Sequence, residues 1–97
     1  MATLKIEAKP SKDLRRYKLA IDKKRVTMKA DNTGAFDVRG ECGDGSEHRF
    51  SFSLFGPAGS KLKVKITCGD KTEVQLDELE VHPEGEPLAA GWLDFKL

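Results

Sequence analysis

Two cysteines and one histidine are the residues of this chain whose types and spacing could support chemistry. Cys42 and Cys68 each begin a Cys-Gly-Asp sequence, in ECGDGSEHRF and TCGDKTEVQL, and the 97 residues contain no other cysteine. His48 follows the first of these sequences. A histidine between two thiols could bind zinc, or could act as the base for a thiol nucleophile. A thiol or metal site at Cys42, Cys68 and His48 is therefore one hypothesis for this chain.

A structural interpretation of the repeat competes with this hypothesis, and we favour it. Both Cys-Gly-Asp sequences separate runs of alternating apolar and polar residues, where a hairpin turn is expected. Each cysteine would then be the last inward-facing residue before its turn and would pack as a small hydrophobic side chain. Two cysteines do not make a disulfide scaffold. We predict two free thiols and no cofactor. A disulfide requires that FGPAGS, residues 55–60, carry the chain to the opposite sheet.

The basic residues are concentrated near the start of the chain. Residues 1–30 contain ten Lys and Arg against three Asp and Glu, and residues 31–97 contain seven against thirteen. The clusters RRYK and KKR flank one predicted strand, so we predict a binding surface at Arg15, Arg16, Lys23 and Lys24. The acidic remainder of the chain disfavours a nucleic acid partner. Tyr17 also shares the parity of Leu19 and Ile21, so we expect it to pack in the core rather than to stack on a base.

Trp92 is the second candidate for binding. It begins the last predicted strand, on the parity opposite to Leu93, Phe95 and Leu97, and it follows the polar loop 82–91. An indole on the outer face of a sheet can bind a ligand such as a sugar ring. It can equally pack beneath the neighbouring loop.

Period-two alternation runs through the chain, and no helical stripe interrupts it. Residues 1–97 therefore form one all-β domain, an antiparallel β-sandwich of seven to nine short strands with an immunoglobulin- or fibronectin-like architecture. No apolar run is long enough to span a membrane. A bulge is expected near Asp77–Glu78, where the parity of the apolar residues changes.

Strand registers follow from requiring apolar residues to face each other across each turn. A three-residue loop at Asn32–Gly34 pairs Ala30 with Phe36 and Met28 with Val38, and one at Gly43–Gly45 pairs Val38 with Phe50. A third loop at Gly69–Lys71 pairs Ile66 with Val74 and Val64 with Leu76. A four-residue loop at Asp22–Arg25 pairs Ile21 with Val26. Continuing the meander through FGPAGS would place His48 opposite Cys68.

These features favour a non-enzymatic binding or accessory module that contacts another protein through its loops or through a sheet edge. Carbohydrate binding at Trp92 is the first alternative, and the thiol or metal site is the second. No secretory signal is visible, so we predict a cytoplasmic location; a secreted or periplasmic protein without its leader would look the same. The uneven charge could be neutralised between subunits or within one.

Overall fold

The protein, whose computed structural model describes all 97 residues, contains eight strands and one short 3-10 helix, Pro83–Gly85. The strands are β1 (Ala2–Pro10), β2 (Arg16–Ile21), β3 (Lys24–Arg25), β4 (Thr33–Val38), β5 (Glu47–Phe55), β6 (Lys61–Cys68), β7 (Lys71–Glu80) and β8 (Leu88–Lys96). Sheet A has the order β4-β1-β6-β7, and sheet B has the order β3-β2-β5-β8. All neighbouring strands are antiparallel. The predicted antiparallel β-sandwich is confirmed. The structure contains no helix with the length and apolar character needed to cross a membrane.

Alternation of side chains explains how the two sheets share one core. In β1 and β6, Ile6 and Ile66 are opposite each other and fully buried, while the intervening lysines are exposed. Sheet B contributes Phe50 and Leu54 to the same cluster. Each fully buried side chain of this size stabilises the fold by about 1.5–3 kcal/mol.

The β6–β7 hairpin has the register expected from the sequence over its central part. Ile66 pairs with Val74, and Val64 with Leu76. The register shifts between Val64 and Leu62, which confirms the bulge predicted near Asp77–Glu78. The turn differs from the prediction because it contains only Gly69 and Asp70, and Gly69 adopts a positive φ of +62°. A second register shift between Ile66 and Thr67 makes the shorter turn compatible with the register.

The predicted pairings around β4 are wrong. Residues 26–30 form no strand with β4, which instead pairs with β1, so that Leu4 is opposite Phe36 and Ala2 is opposite Val38. Val38 and Phe50 are both buried, but they lie in opposite sheets. Period-two alternation specifies which face of a strand is apolar, but it does not specify the neighbouring strand.

The predicted four-residue loop after Ile21 is also wrong. Ile21 pairs with Lys24 across a two-residue turn, in which Asp22 and Lys23 have φ values of 51° and 67°. Two positive φ values are typical of a type I′ turn, which usually contains glycine or asparagine. Asp22 is held there by hydrogen bonds with the β5 residues His48 and Arg49.

The segment FGPAGS carries the chain from β5 in sheet B to β6 in sheet A. Cys42 and Cys68 consequently meet and form a disulfide, with their Cα atoms 5.6 Å apart. The prediction of two free thiols is therefore wrong. Cys68 is buried, as expected, but Cys42 is exposed rather than inward-facing. His48 pairs with Phe95 of β8 and not with Cys68.

Candidate functional site

A basic cleft lies beside β2 and has a volume of about 560 Å³. Its lining includes five cationic side chains and no acidic residue: Arg15, Arg16, Lys18, Arg25 and Lys29. We call this site the basic cleft and these five side chains its cations. A volume in this range is typical of sites that bind small molecules.

None of the five cations forms an ion pair. The eight ion pairs of the molecule use other basic groups, such as Lys5, Lys61 and Arg49. Asp31 lies near enough to Lys29 for their charges to interact, but the two form no ion pair, and the Asp31 carboxylate accepts two hydrogen bonds from Thr33. Like charges that line one concave surface repel each other and generate a local positive potential. The cleft is therefore electrostatically suited to an anionic group.

The cleft follows an edge of β2 that is only partly paired. All six residues of β2 pair with β5, but only Ala20 and Ile21 pair with β3. One further hydrogen bond runs from the Val26 amide to the Leu19 carbonyl, after which the chain leaves for sheet A. The edge of β2 at Arg16–Lys18 is consequently open, because β3 contains only two residues.

Apolar side chains line the inner part of the cleft. They are Leu14, Leu19, Val26 and Met28, which are buried or half-buried; Pro10 also lines the cleft and is exposed. Tyr17 is half-buried among them, and burial raises its pKa above the ordinary value. Its hydroxyl donates a hydrogen bond of 2.5 Å to Oδ1 of Asn32, which ties β2 to the segment that leads into β4. The cleft therefore combines charged groups with apolar side chains on its inner wall.

The basic residues predicted from the sequence are divided between two places. Arg15 and Arg16 line the basic cleft. Lys23 lies in the β2–β3 turn, and Lys24 lines a second cleft beside His48. Lys23 and Lys24 follow the C-terminal end of β2, whereas Arg15 and Arg16 lie at its start. The sequence-based prediction did not include Lys18, Arg25 and Lys29, although all three belong to the same basic third of the chain.

Trp92 lies on the outer face of sheet B, as predicted, in a row with Ala20 of β2 and Ser51 of β5. It does not begin the strand, because β8 already starts at Leu88, within the predicted loop 82–91. Its side chain is 60% exposed. The Arg49 guanidinium stacks on the indole at 3.9 Å from the ring centroid and also donates two hydrogen bonds to Asp94. Trp92 does not line the basic cleft, since β5 separates β8 from β2 and neighbouring strands lie about 4.8 Å apart.

A hydrogen-bonded network around His48 was not found from the sequence. His48 is buried; its Nδ1 donates to Oδ2 of Asp22 at 2.6 Å, and its Nε2 lies 3.1 Å from Oγ of Ser46. Burial tends to raise the pKa of Asp22, but hydrogen bonds from the His48 ring and the Arg49 amide outweigh it and lower that pKa. The order Ser-His-Asp is that of a hydrolase triad.

Asp44 changes what this network can do. Its Oδ1 accepts from the Ser46 hydroxyl at 2.7 Å and from the Ser46 amide, and its Oδ2 accepts from the Glu41 amide. These bonds, the hydroxyl bond foremost, hold the pKa of Asp44 at about 2. An ionised carboxylate can only accept, so the Ser46 hydroxyl directs its single proton to Asp44 rather than to His48. The arrangement therefore favours a structural connection between the β2–β3 turn and β5 over nucleophilic activation.

The hypothesis of a thiol or metal site does not fit these contacts. The sulfurs of Cys42 and Cys68 are bonded to each other, so neither is a thiolate ligand in this form. Both ring nitrogens of His48 are engaged by Asp22 and Ser46.

Comparison with known proteins finds no matching family model, no similar curated protein and no similar solved structure.

Proposed function

We propose that the protein is a non-enzymatic binding module that contacts a partner protein through the basic cleft. The observation that supports this proposal is that five cations, none of them ion-paired, line one cleft with apolar side chains on its inner wall. Charged groups at a binding surface accelerate association and select partners of opposite charge. Apolar side chains beside them supply the area that gives affinity.

The cleft suits an acidic protein better than a nucleic acid. Non-specific binding of single strands uses aromatic side chains as stacking platforms along a basic groove. The one aromatic side chain in the cleft, Tyr17, is half-buried, and its hydroxyl is bonded to Asn32. Outside the first thirty residues the chain also carries thirteen acids against seven basic residues, which would repel an extended polyanion.

Site-specific crosslinking tests the proposal in cells. A photo-crosslinking amino acid replaces Lys29 at the cleft, and in a matched protein it replaces Lys63 on the outer face of sheet A. We expect one protein adduct from position 29 and none from position 63. Adding R16Q and K18Q should reduce the adduct at least tenfold, because both substitutions remove cations of the cleft. Equal labelling from both positions, or adducts with nucleic acid alone, would refute the proposal.

Carbohydrate binding at Trp92 is a second candidate function. It is supported by the exposure of the indole and by the small side chains of Ala20 and Ser51 in the same row, which leave space above the sheet. Trp92 is the only tryptophan in the chain, so its fluorescence reports on this site alone. A glycan that binds there should shift the emission, and W92A should lose the binding. A screen in which no sugar changes the emission would count against this function.

The cellular location remains a prediction. Structural disulfides persist in oxidising compartments, so the bond between Cys42 and Cys68 supports the secreted or periplasmic alternative over the cytoplasm. Thiol labelling of the protein in intact cells distinguishes them: a cytoplasmic chain should label at the exposed Cys42, and an exported one at neither cysteine.

A further inference from the structure

We propose that the ligand of the basic cleft is an extended acidic peptide that adds as a strand to the open edge of β2, with acidic and apolar residues in alternation. This inference rests on the proposed function and specifies the partner. It follows from three features: the backbone groups at the edge, the opposite faces of β2 and the charge of the cleft.

The backbone of β2 can accept another strand. In an antiparallel strand, successive residues direct their N–H and C=O groups alternately to the two sides. The Leu19 carbonyl points away from β5, since it accepts from Val26. Two residues earlier, the N–H and C=O of Tyr17 therefore also point away from β5, toward the side where Arg16–Lys18 has no neighbouring strand. An added peptide would pair with these groups in the way that strand-adding recognition domains use an exposed sheet edge.

The two faces of β2 determine the side chains of the peptide. Arg16 and Lys18 point outward, where the Arg16 guanidinium lies 5.0 Å from the centre of the Phe55 ring. Tyr17 and Leu19 point inward and pack against the core. Side chains of an added strand would alternate between these faces in the same way. Its outward residues would meet cations, and its inward residues would meet Leu14, Tyr17 and Met28. A peptide in which Glu or Asp alternates with Val, Leu or Thr would match both the cations on the outward face and the apolar side chains on the inward face.

A second copy of the chain does not fit this role. Its own sequence contains the alternating pattern from Glu73 to Val81, but Val74 and Val81 are buried, and Leu76 and Leu79 pack against the core. That segment would have to leave its own core before it could bind. The partner is therefore a separate acidic segment.

Fluorescence anisotropy with a labelled peptide, acetyl-Thr-Glu-Val-Glu-Leu-Glu-Thr-amide, tests the inference on the intact protein. Two further peptides carry N-methyl groups on alternate amides, one set on the odd and the other on the even positions. N-methylation removes the ladder donor and retains every charge. We expect the unmodified peptide to bind, one methylated peptide to lose at least tenfold in affinity, and the other to stay within about threefold. R16Q/K18Q should weaken binding tenfold or more, while K63Q/K65Q, which removes the same charge from the opposite sheet, should have less than a twofold effect.

The remaining outcomes overturn the inference in distinguishable ways. If both methylated peptides bind like the parent, the cleft recognises acidic peptides without strand addition, and the proposed function still stands. If R16Q/K18Q leaves peptide affinity unchanged, or an eight-residue oligothymidylate binds more tightly than the peptide, both proposals fail. A concentration-dependent dimer that disappears in R16Q/K18Q would show that the occupant is a second copy. If no peptide binds, strand addition is refuted, and crosslinking from position 29 alone decides the proposed function.

Discussion

Replacing Cys42 by alanine should isolate the contribution of the disulfide to stability. The bond closes a loop with a sequence separation of 26 residues, and the chain-entropy relation gives about 3.5 kcal/mol at 25 °C for a loop of that length. Cys42 is the informative position because it is exposed. Replacing the buried Cys68 would add a cavity in the core to the loss of the cross-link.

Urea unfolding measures the effect directly. With an m-value of about 1.5 kcal/mol per molar urea, a loss of about 3.5 kcal/mol lowers the midpoint by roughly 2 M. For a chain of this size the melting temperature should fall by roughly 15 °C. Reduction of the wild-type protein with dithiothreitol should reproduce the same loss, because it removes the same cross-link.

The C42A variant provides its own control, since reductant should leave its unfolding curve unchanged. A difference between wild type and C42A below about 1 kcal/mol would refute the reasoning. It would show that the unfolded chain retains structure that already restricts this loop, so that the cross-link removes little of its entropy.

Three further predictions concern single side chains. Asp44 has a folded-state pKa of about 2, below its unfolded value of 3.8. Its contribution to the free energy of unfolding is therefore present above pH 4 and is lost as the pH falls from 4 toward 2. In D44N, the free energy of unfolding should depend less on pH in that window. Replacing Gly91 by alanine would place a Cβ 2.8 Å from the Phe52 ring, and we expect a loss of about 1–3 kcal/mol in urea unfolding. With p-nitrophenyl acetate we expect no burst of nitrophenolate and no acetylation of Ser46 by mass spectrometry. The reason is that the Ser46 hydroxyl donates its hydrogen bond to Asp44 rather than to His48.

Matched variants control these experiments. E84Q removes an exposed acid that forms no side-chain hydrogen bond, and its stability should depend on pH as in the wild type. If E84Q and D44N changed the pH dependence equally, the effect could not be assigned to Asp44. A90S lies next to Gly91 on the exposed face and should change stability by less than about 0.5 kcal/mol. A stoichiometric burst that S46A abolishes would show that the Ser46 hydroxyl is activated after all.

Local pairing could be predicted from the sequence, and long-range pairing could not. The β6–β7 hairpin was found because its two strands adjoin in the chain and their apolar residues match in one register. The partner of β4 was missed because Phe36 pairs as well with Leu4, more than thirty residues away, as with the neighbouring Ala30. The type I′ turn at Asp22 was missed because tertiary contacts with β5, rather than a glycine, support it.

The candidate site was predictable in composition and not in shape. The concentration of charge near the start of the chain pointed to Arg15 and Arg16, which do line the basic cleft. The cleft itself depends on where β3 ends, and alternation alone does not specify the length of a strand. Lys24 therefore lies in a different cleft from Arg25, its neighbour in the same short strand.

The strand order also has a kinetic consequence. Only the β2–β3 and β6–β7 connections remain within a sheet, and the other five cross from one sheet to the other. Few contacts can therefore form early between neighbouring segments, and we expect refolding over milliseconds to seconds rather than microseconds. During synthesis, β5 would lack its second neighbour until β8 has left the ribosome. Its exposed edge would then be the place where a nascent chain is most prone to aggregate.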